Sequence, residues 1–126
     1  MDSKKLGELG EKVAKNFLQK KGYEILDKNY STKFISGPQR GEIDIIAKNG
    51  ETISFVEVKT LTTQDSFLPE DKVGLQKQRK IVKTAESWLS ANKIQLDTPW
   101  QIDIISISID LPRKKAKIRH FQNAVS

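Results

Sequence analysis

Cysteine is absent from the 126 residues, and histidine and methionine occur once each. That excludes a disulfide framework, a thiolate zinc site and a cysteine nucleophile. No apolar run approaches the roughly 20 residues that span a bilayer, so no transmembrane segment is expected. The opening MDSKKLGELGEK has neither an apolar core nor a small-residue cleavage site. A signal peptide is therefore not expected, and a cytoplasmic location is. Internal repeats and low-complexity tracts are missing as well.

What is present suits one soluble domain with its own core, since 37% of residues are hydrophobic and 30% charged. The 22 basic residues exceed the 16 acidic ones, for a net charge of +6, which attracts polyanions without specificity. Distribution says more. Lys77, Arg79, Lys80 and Lys83 cluster in one segment, and Arg113, Lys114, Lys115, Lys117 and Arg119 in another.

Residues 4–21 predict an amphipathic helix, because Leu6, Leu9, Val13 and Phe17, with Ala14 and Leu18, recur at spacings of three and four. Asp2 or Ser3 can cap it and Gly22 ends it. At about 100° per residue Glu11 falls on the shoulder of the buried face, whereas Glu8 points to solvent. Residues 23–30 suggest a strand of poor alternation, and 31–40 a mobile loop. A hairpin follows over 41–60, GEIDIIAKNGETISFVEVKT, with a tight turn at Asn49-Gly50. Alternation puts Ile43, Ile45 and Ala47 on one face of its first strand and Asp44 and Ile46 on the other. In its second strand Phe55, Glu57 and Lys59 share a face opposite Val56 and Val58.

A polar loop over 61–69 precedes a helix expected over 70–91, with a stripe of Ile81, Val82, Ala85, Trp88 and Leu89. Projected back one turn, that stripe brings Gln78 to its centre and Lys77 to its edge, with Arg79, Lys80 and Lys83 outward. Residues 100–110 read as a buried strand whose isoleucines change phase between 104 and 105, implying burial on both faces or a bulge. Residues 115–121 read as a basic edge strand. The order αβββαββ describes an α/β fold, one mixed sheet of about five strands flanked by helices.

Within the hairpin, Glu57 and Lys59 project from one face about 6 to 7 Å apart along the strand. Pairing outward from the turn brings Asp44 opposite residues near 55–57. Two carboxylates then converge beside an ammonium, a set of hard oxygen ligands with open positions that suits Mg²⁺ or Mn²⁺ and phosphodiester hydrolysis. A cross-strand ion pair on an exposed sheet face satisfies the same spacing.

The stretch RGEIDIIAKNGETISFVEVKT at 40–60, with GELGEKVAKNFLQKKGYEIL at 7–26, KQRKIVKTAESWL at 77–89 and IRHFQNAVS at 118–126, resembles the YraN-like family of small bacterial proteins. That family falls within the PD-(D/E)XK restriction-endonuclease-like superfamily, which also includes archaeal Holliday junction resolvases. The resemblance implies a restriction-endonuclease-like fold and a metal-dependent nuclease acting on DNA, branched DNA included. It matches Glu11, Asp44 and Glu57 to metal-binding acids, Lys59 to the motif lysine, and Gln78 and Lys77 to positions on the second helix that assist. Asp44, Glu57, Lys59 and Gln78 are thus the expected catalytic residues, with Mg²⁺ or Mn²⁺ as cofactor. Two departures stand out, Ile43 in place of the proline before Asp44 and Leu61 where an arginine often follows the motif.

Nucleic acid, DNA ahead of RNA, is the expected partner, held by Arg40, Lys77, Arg79, Lys80 and Lys83, with no membrane and with a homodimer among the allowed assemblies. The competing class is a non-catalytic nucleic-acid-binding or protein-interaction module that keeps the fold. Glu42 is expected in a structural or solvent role, Asp103 as a hydrogen-bonded buried acid, His120 at the surface, and Trp88 and Trp100 in the core.

Overall fold

The computed structural model describes residues 2–32, 41–62 and 74–124. Its elements run α1 (Ser3–Lys20), β1 (Glu24–Ser31), β2 (Glu42–Asn49), β3 (Thr52–Thr62), α2 (Leu75–Ala91), β4 (Trp100–Asp110) and β5 (Lys115–Phe121). The strands make one mixed sheet in the order β1-β2-β3-β4-β5. Only β3 and β4 are parallel. A parallel pair needs a crossover, and α2 lies within it. This is the expected αβββαββ architecture, and it is consistent with a restriction-endonuclease-like fold.

Each helix covers one face of the sheet. Ala14 and Leu18 of α1 pack with Ile45, Ala47, Val56, Ile105 and Ile107. Ile81, Ala85 and Trp88 of α2 pack on the other side with Ile46, Ile53, Phe55 and Ile102. The division explains β4, whose register is unbroken from Trp100 to Asp110, so its phase change reflects burial on both faces and not a bulge. The bulge is in β1, between Ile25 and Asp27. Leu26 is the extra residue and packs on the α2 side while Ile25 packs on the α1 side, which is why β1 alternates poorly in sequence.

Helix α1 begins where Asp2 Oδ1 accepts the Lys5 amide at 2.8 Å. It ends before Gly22, whose φ of +93° suits glycine. Several expectations need correction. The hairpin turn sits one residue later than Asn49-Gly50, because Asn49 still pairs with Thr52 and Gly50 takes the positive φ of 62°. Ile43 packs with the α2-side cluster and not with Ile45, and the change falls where the β2–β3 ladder stops at Ile45 and Val56. Leu61 and Thr62 continue β3, paired with Ser108 and Ile109, where a loop was expected. Gly74 is extended and caps α2, so the helix starts at Leu75; the expected helical residues 70–73 and loop residues 33–40 and 63–69 lie outside the described set.

His120 is not at the surface. Its side chain is 4% exposed, edge-on to the rings of Phe17 and Tyr23, with Nε2 at 2.9 Å from Asp103 Oδ2. Gln101 Nε2 and the Asn123 amide both donate to Asp103 Oδ1 at 2.9 Å. Burial pushes the Asp103 carboxyl up, but the bonds from His120, Asn123 and Gln101 outweigh it and hold the group below its ordinary value. The structural role expected of Asp103 is thus borne out, and it ties the chain after β5 to β4. Trp88 is core and donates to Asp27 Oδ2, whereas Trp100 is 36% exposed and meets Phe55 edge-on from the rim.

Two glycines set how closely the helices approach. A Cβ on Gly10 of α1 would fall within 2.8 Å of the Thr60 side-chain carbon on β3. A Cβ on Gly41 would meet Thr84 and the Lys80 carbonyl of α2. Gly10→Ala should therefore cost about 1 to 3 kcal/mol in urea unfolding through overpacking. Gly7→Ala, which meets nothing, should gain up to about 1 kcal/mol from helix propensity. Equal effects at the two positions would refute the close approach. His120→Ala should cost about 2 kcal/mol or more in the same measurement, by opening a cavity beside Phe17 and Tyr23 and removing the ring from Asp103 Oδ2.

Candidate functional site

The β2–β3 ladder stops one residue short of Asp44, and the side chain takes over from the backbone. Asp44 Oδ2 accepts the Val58 amide at 2.7 Å, so a β3 donor that a β2 carbonyl would otherwise satisfy fixes the carboxylate instead. Glu57 precedes that amide on β3 and is 7% exposed. Its Oε1 lies 3.2 Å from Lys59 Nζ, from the same strand face, and 2.6 Å from Lys77 Nζ, from the first turn of α2. Period-two alternation supplies the first contact and the packing of α2 the second.

The charges press on one another. Burial, then the Glu57 charge, push the Asp44 carboxyl up to about 7 against the opposing pull of the Val58 amide. Glu11 is also raised, by burial first and then by Glu57 and Glu8, so the first-helix acid feels the hairpin acids. Lys59 is lowered, by burial and then by neighbouring Lys77. For Lys77 burial pulls the same way, but the bond to Glu57 and the charges of Glu57 and Asp44 prevail and raise it.

Two depressions meet at Asp44. On the α2 side a cleft of about 380 Å³ is lined by Glu42, Asp44, Glu57, Gln76, Lys77 and Lys80, together with Ile81. On the α1 side a larger groove, about 740 Å³, contains Glu11 and reaches the same aspartate. Asp44 thus sits where both faces of the sheet open.

The expected residues divide accordingly. Asp44, Glu57, Lys59 and Lys77 come together as foreseen. Glu11 arrives from the α1 side, half-buried as its helical phase required, while Glu8 is exposed. Among the described residues, no group of three or more acidic or histidine side chains is gathered for one ion. The Glu57 charge therefore acts on both Glu11 and Asp44 without the three acids forming a closed cage, and Glu57 is engaged by its lysines. Gln78 is half-buried and is not part of the cleft lining. Lys80, expected outward, lines the cleft; Arg79 and Lys83 are exposed and do not line it. Arg40 lies outside the described residues. Gln76 was missed, although it and Lys77 stand four and three residues before Lys80 and so share its helical face.

Residues 10–107 match the model of a family described as "Uncharacterised protein family UPF0102". The chain belongs to the UPF0102 family. It is 41% identical over 122 residues to a UPF0102 protein of Alkaliphilus oremlandii, covering 97% of this chain and 98% of that one. A UPF0102 protein of Caldanaerobacter subterraneus subsp. tengcongensis is 40% identical, with 98% and 97% covered. One from Roseiflexus castenholzii is 32% identical over 121 residues, with 96% and 93% covered. Every residue of the site falls inside the stretch that the family model matches.

The donor set can be tested against a divalent cation. Mg²⁺ is commonly bound through one or two carboxylates, with waters and substrate phosphate oxygens completing six positions. Asp44, held by one backbone bond and pressed by neighbouring acids, and Glu57, with an oxygen beyond its ion pairs, meet that requirement. Glu11 offers a further oxygen from the other side.

A carboxyl raised in the folded state keeps its proton after the unfolded chain has lost its own, so stability falls as pH rises between about 4 and 7. Without divalent metal, Asp44→Asn should gain on wild type by up to about 4 kcal/mol between pH 4 and pH 8 in urea unfolding. Parallel pH profiles for the two proteins would overturn the placement of Asp44.

Proposed function

We propose that this chain is a nuclease of the PD-(D/E)XK superfamily that hydrolyses phosphodiester bonds in DNA with Mg²⁺ or Mn²⁺. The observation that carries the reading is the convergence of Asp44, Glu57 and Lys77 at one open cleft, with Lys59 paired to Glu57 beside it. Two carboxylates and two ammonium groups in a half-buried setting can hold a cation and a phosphate together. Asp44 and Glu57 would hold the ion, with Glu11 completing its surroundings from the α1 side. The ion supplies Lewis-acid stabilisation of charge on the phosphoryl oxygens and lowers the cost of ionising water.

The remaining work belongs to the chain's own groups. The Val58 amide fixes the orientation of Asp44. Lys59 and Lys77 bring positive charge to the position of the non-bridging oxygens, where negative charge grows as water attacks. Lys59, on the strand next to Glu57, also orients the water. The oxygen of water bonds to phosphorus as the bond from phosphorus to the 3′ oxygen breaks, leaving a 5′-phosphate and a 3′-hydroxyl. Gln76 and Lys80 border the cleft and would position the adjoining backbone.

A second reading draws on the same ion pairs. Because two lysines already engage Glu57, the set also suits a binding module in which the charges only brace α2 against the hairpin.

Purified protein should nick or cut labelled DNA, in linear, flap or four-way-junction form, when Mg²⁺ or Mn²⁺ is present. Lys59→Ala and Asp44→Ala should each reduce the rate at least about 100-fold. Calorimetry should show Mn²⁺ binding that Asp44→Ala weakens. Metal-independent DNA binding with no products on any substrate would favour the module.

A further inference from the structure

The α1-side groove has no part in holding Glu57, yet its lining is unlike a chance solvated face. Lys4, Lys12 and Lys15 stand on one side of α1, and Lys28 stands across from them on β1 beside Asn29. Four lysines therefore line a depression whose acids are Glu8, Glu11 and Asp44. Lys4, Lys12 and Lys28 are exposed, while Glu11 and Asp44 are half-buried. Three of the cations thus form the rim, and Lys15 lies deeper with two of the acids. Lys28 acts on Glu11 from the opposite wall, lowering a carboxyl that the neighbouring acids raise.

Length and direction add to the charge pattern. The positions 4, 8, 12 and 15 follow the three-and-four spacing that keeps side chains on one helical face. From Lys4 to Lys15 the helix rises about 16 Å, close to the advance of about five nucleotides along one strand of B-form DNA. Asp44 lies in the groove and is also shared with the α2-side cleft. A strand lying along α1 would have one phosphate over Asp44 while its neighbours met the lysines on either wall.

We infer that the groove between α1 and β1–β2 is the track for a phosphodiester backbone, with Lys4, Lys12, Lys15 and Lys28 as its phosphate contacts. The inference rests on the nuclease reading for the purpose of the track but not for its existence, since binding is measured without cleavage. It places the main contact surface on α1, away from the outward lysine and arginine of α2.

The test compares two variants of equal net charge. Lys4→Glu/Lys12→Glu/Lys15→Glu reverses the α1 lysines of the groove, and Lys20→Glu/Lys48→Glu/Lys93→Glu reverses three exposed lysines outside the groove. Fluorescence anisotropy with a labelled 20-nucleotide DNA strand, its duplex and the RNA of the same sequence is read without divalent metal over a salt series. Thermal unfolding followed by circular dichroism confirms that both variants fold. The groove variant should bind at least about tenfold more weakly than the control variant, and its salt slope on the single strand should fall by about 2. Equal losses in the two variants, or no binding by wild type to any of the three probes, would overturn the track. Loss of binding confined to the groove variant, in a protein that cuts nothing with any metal, supports the track and removes the nuclease reading. Cleavage by a groove variant that binds like the control removes the track and leaves the nuclease reading standing.

Discussion

A carboxylate almost out of contact with water is held in place by two ammonium groups, and the arrangement of the α2 half of the molecule depends on it. Taking Glu57 from water costs several kcal/mol, which Lys59 and Lys77 offset only in the right geometry. Lys59 is automatic, being two residues along the same strand. Lys77 is not, because it reaches Glu57 only when the first turn of α2 lies over β3. The ion pair therefore links the end of the crossover to the centre of the sheet, while the apolar stripe of Ile81, Ala85 and Trp88 holds the rest of the helix.

The same economy of backbone and side chain appears at Asp44. Where β2 stops pairing with β3 an amide would be left without a carbonyl, and an aspartate supplies the oxygen. A buried donor is satisfied, and a carboxylate is fixed at a place where it can also face solvent. Structure and chemistry are thus served by one group, and part of the cost appears as a carboxyl with unusual affinity for protons. The Asp103–His120 pair shows the contrasting case of an acid fully enclosed by donors. Its carboxyl is lowered and its lone pairs are occupied, so it braces the fold.

Much of this was legible in the residues. The elements, their order and the faces of β3 follow from local periodicity, which depends on neighbours in sequence. Glu11 could be placed on the shoulder of α1 for the same reason. What escaped depends on relations across the sheet. The burial of His120 is set by Phe17, Tyr23 and Asp103, none of them adjacent to it in sequence, and a basic edge strand gave no hint of it. Lys80 and Gln76 depend on the roll of α2, which a stripe determined from its later half fixed only loosely. Gln78 looked anomalous as a polar residue in an apolar stripe, but the helix begins only at Leu75 and its first turns lie beside the cleft, where polarity is ordinary.

The glycines at 10 and 41 carry a consequence for how the molecule meets anything that enters it. One brings the helix bearing Glu11 against Thr60, and the other brings the start of β2 against Thr84, whose hydroxyl donates to the Lys80 carbonyl at 2.7 Å. Both set a bare α-carbon against a threonine side chain, so on the glycine side there is nothing that can swing aside. The distance of each helix from the sheet is therefore set by an α-carbon against a threonine. Anything that reaches Asp44, from either face, meets a helix whose approach to the sheet is already fixed.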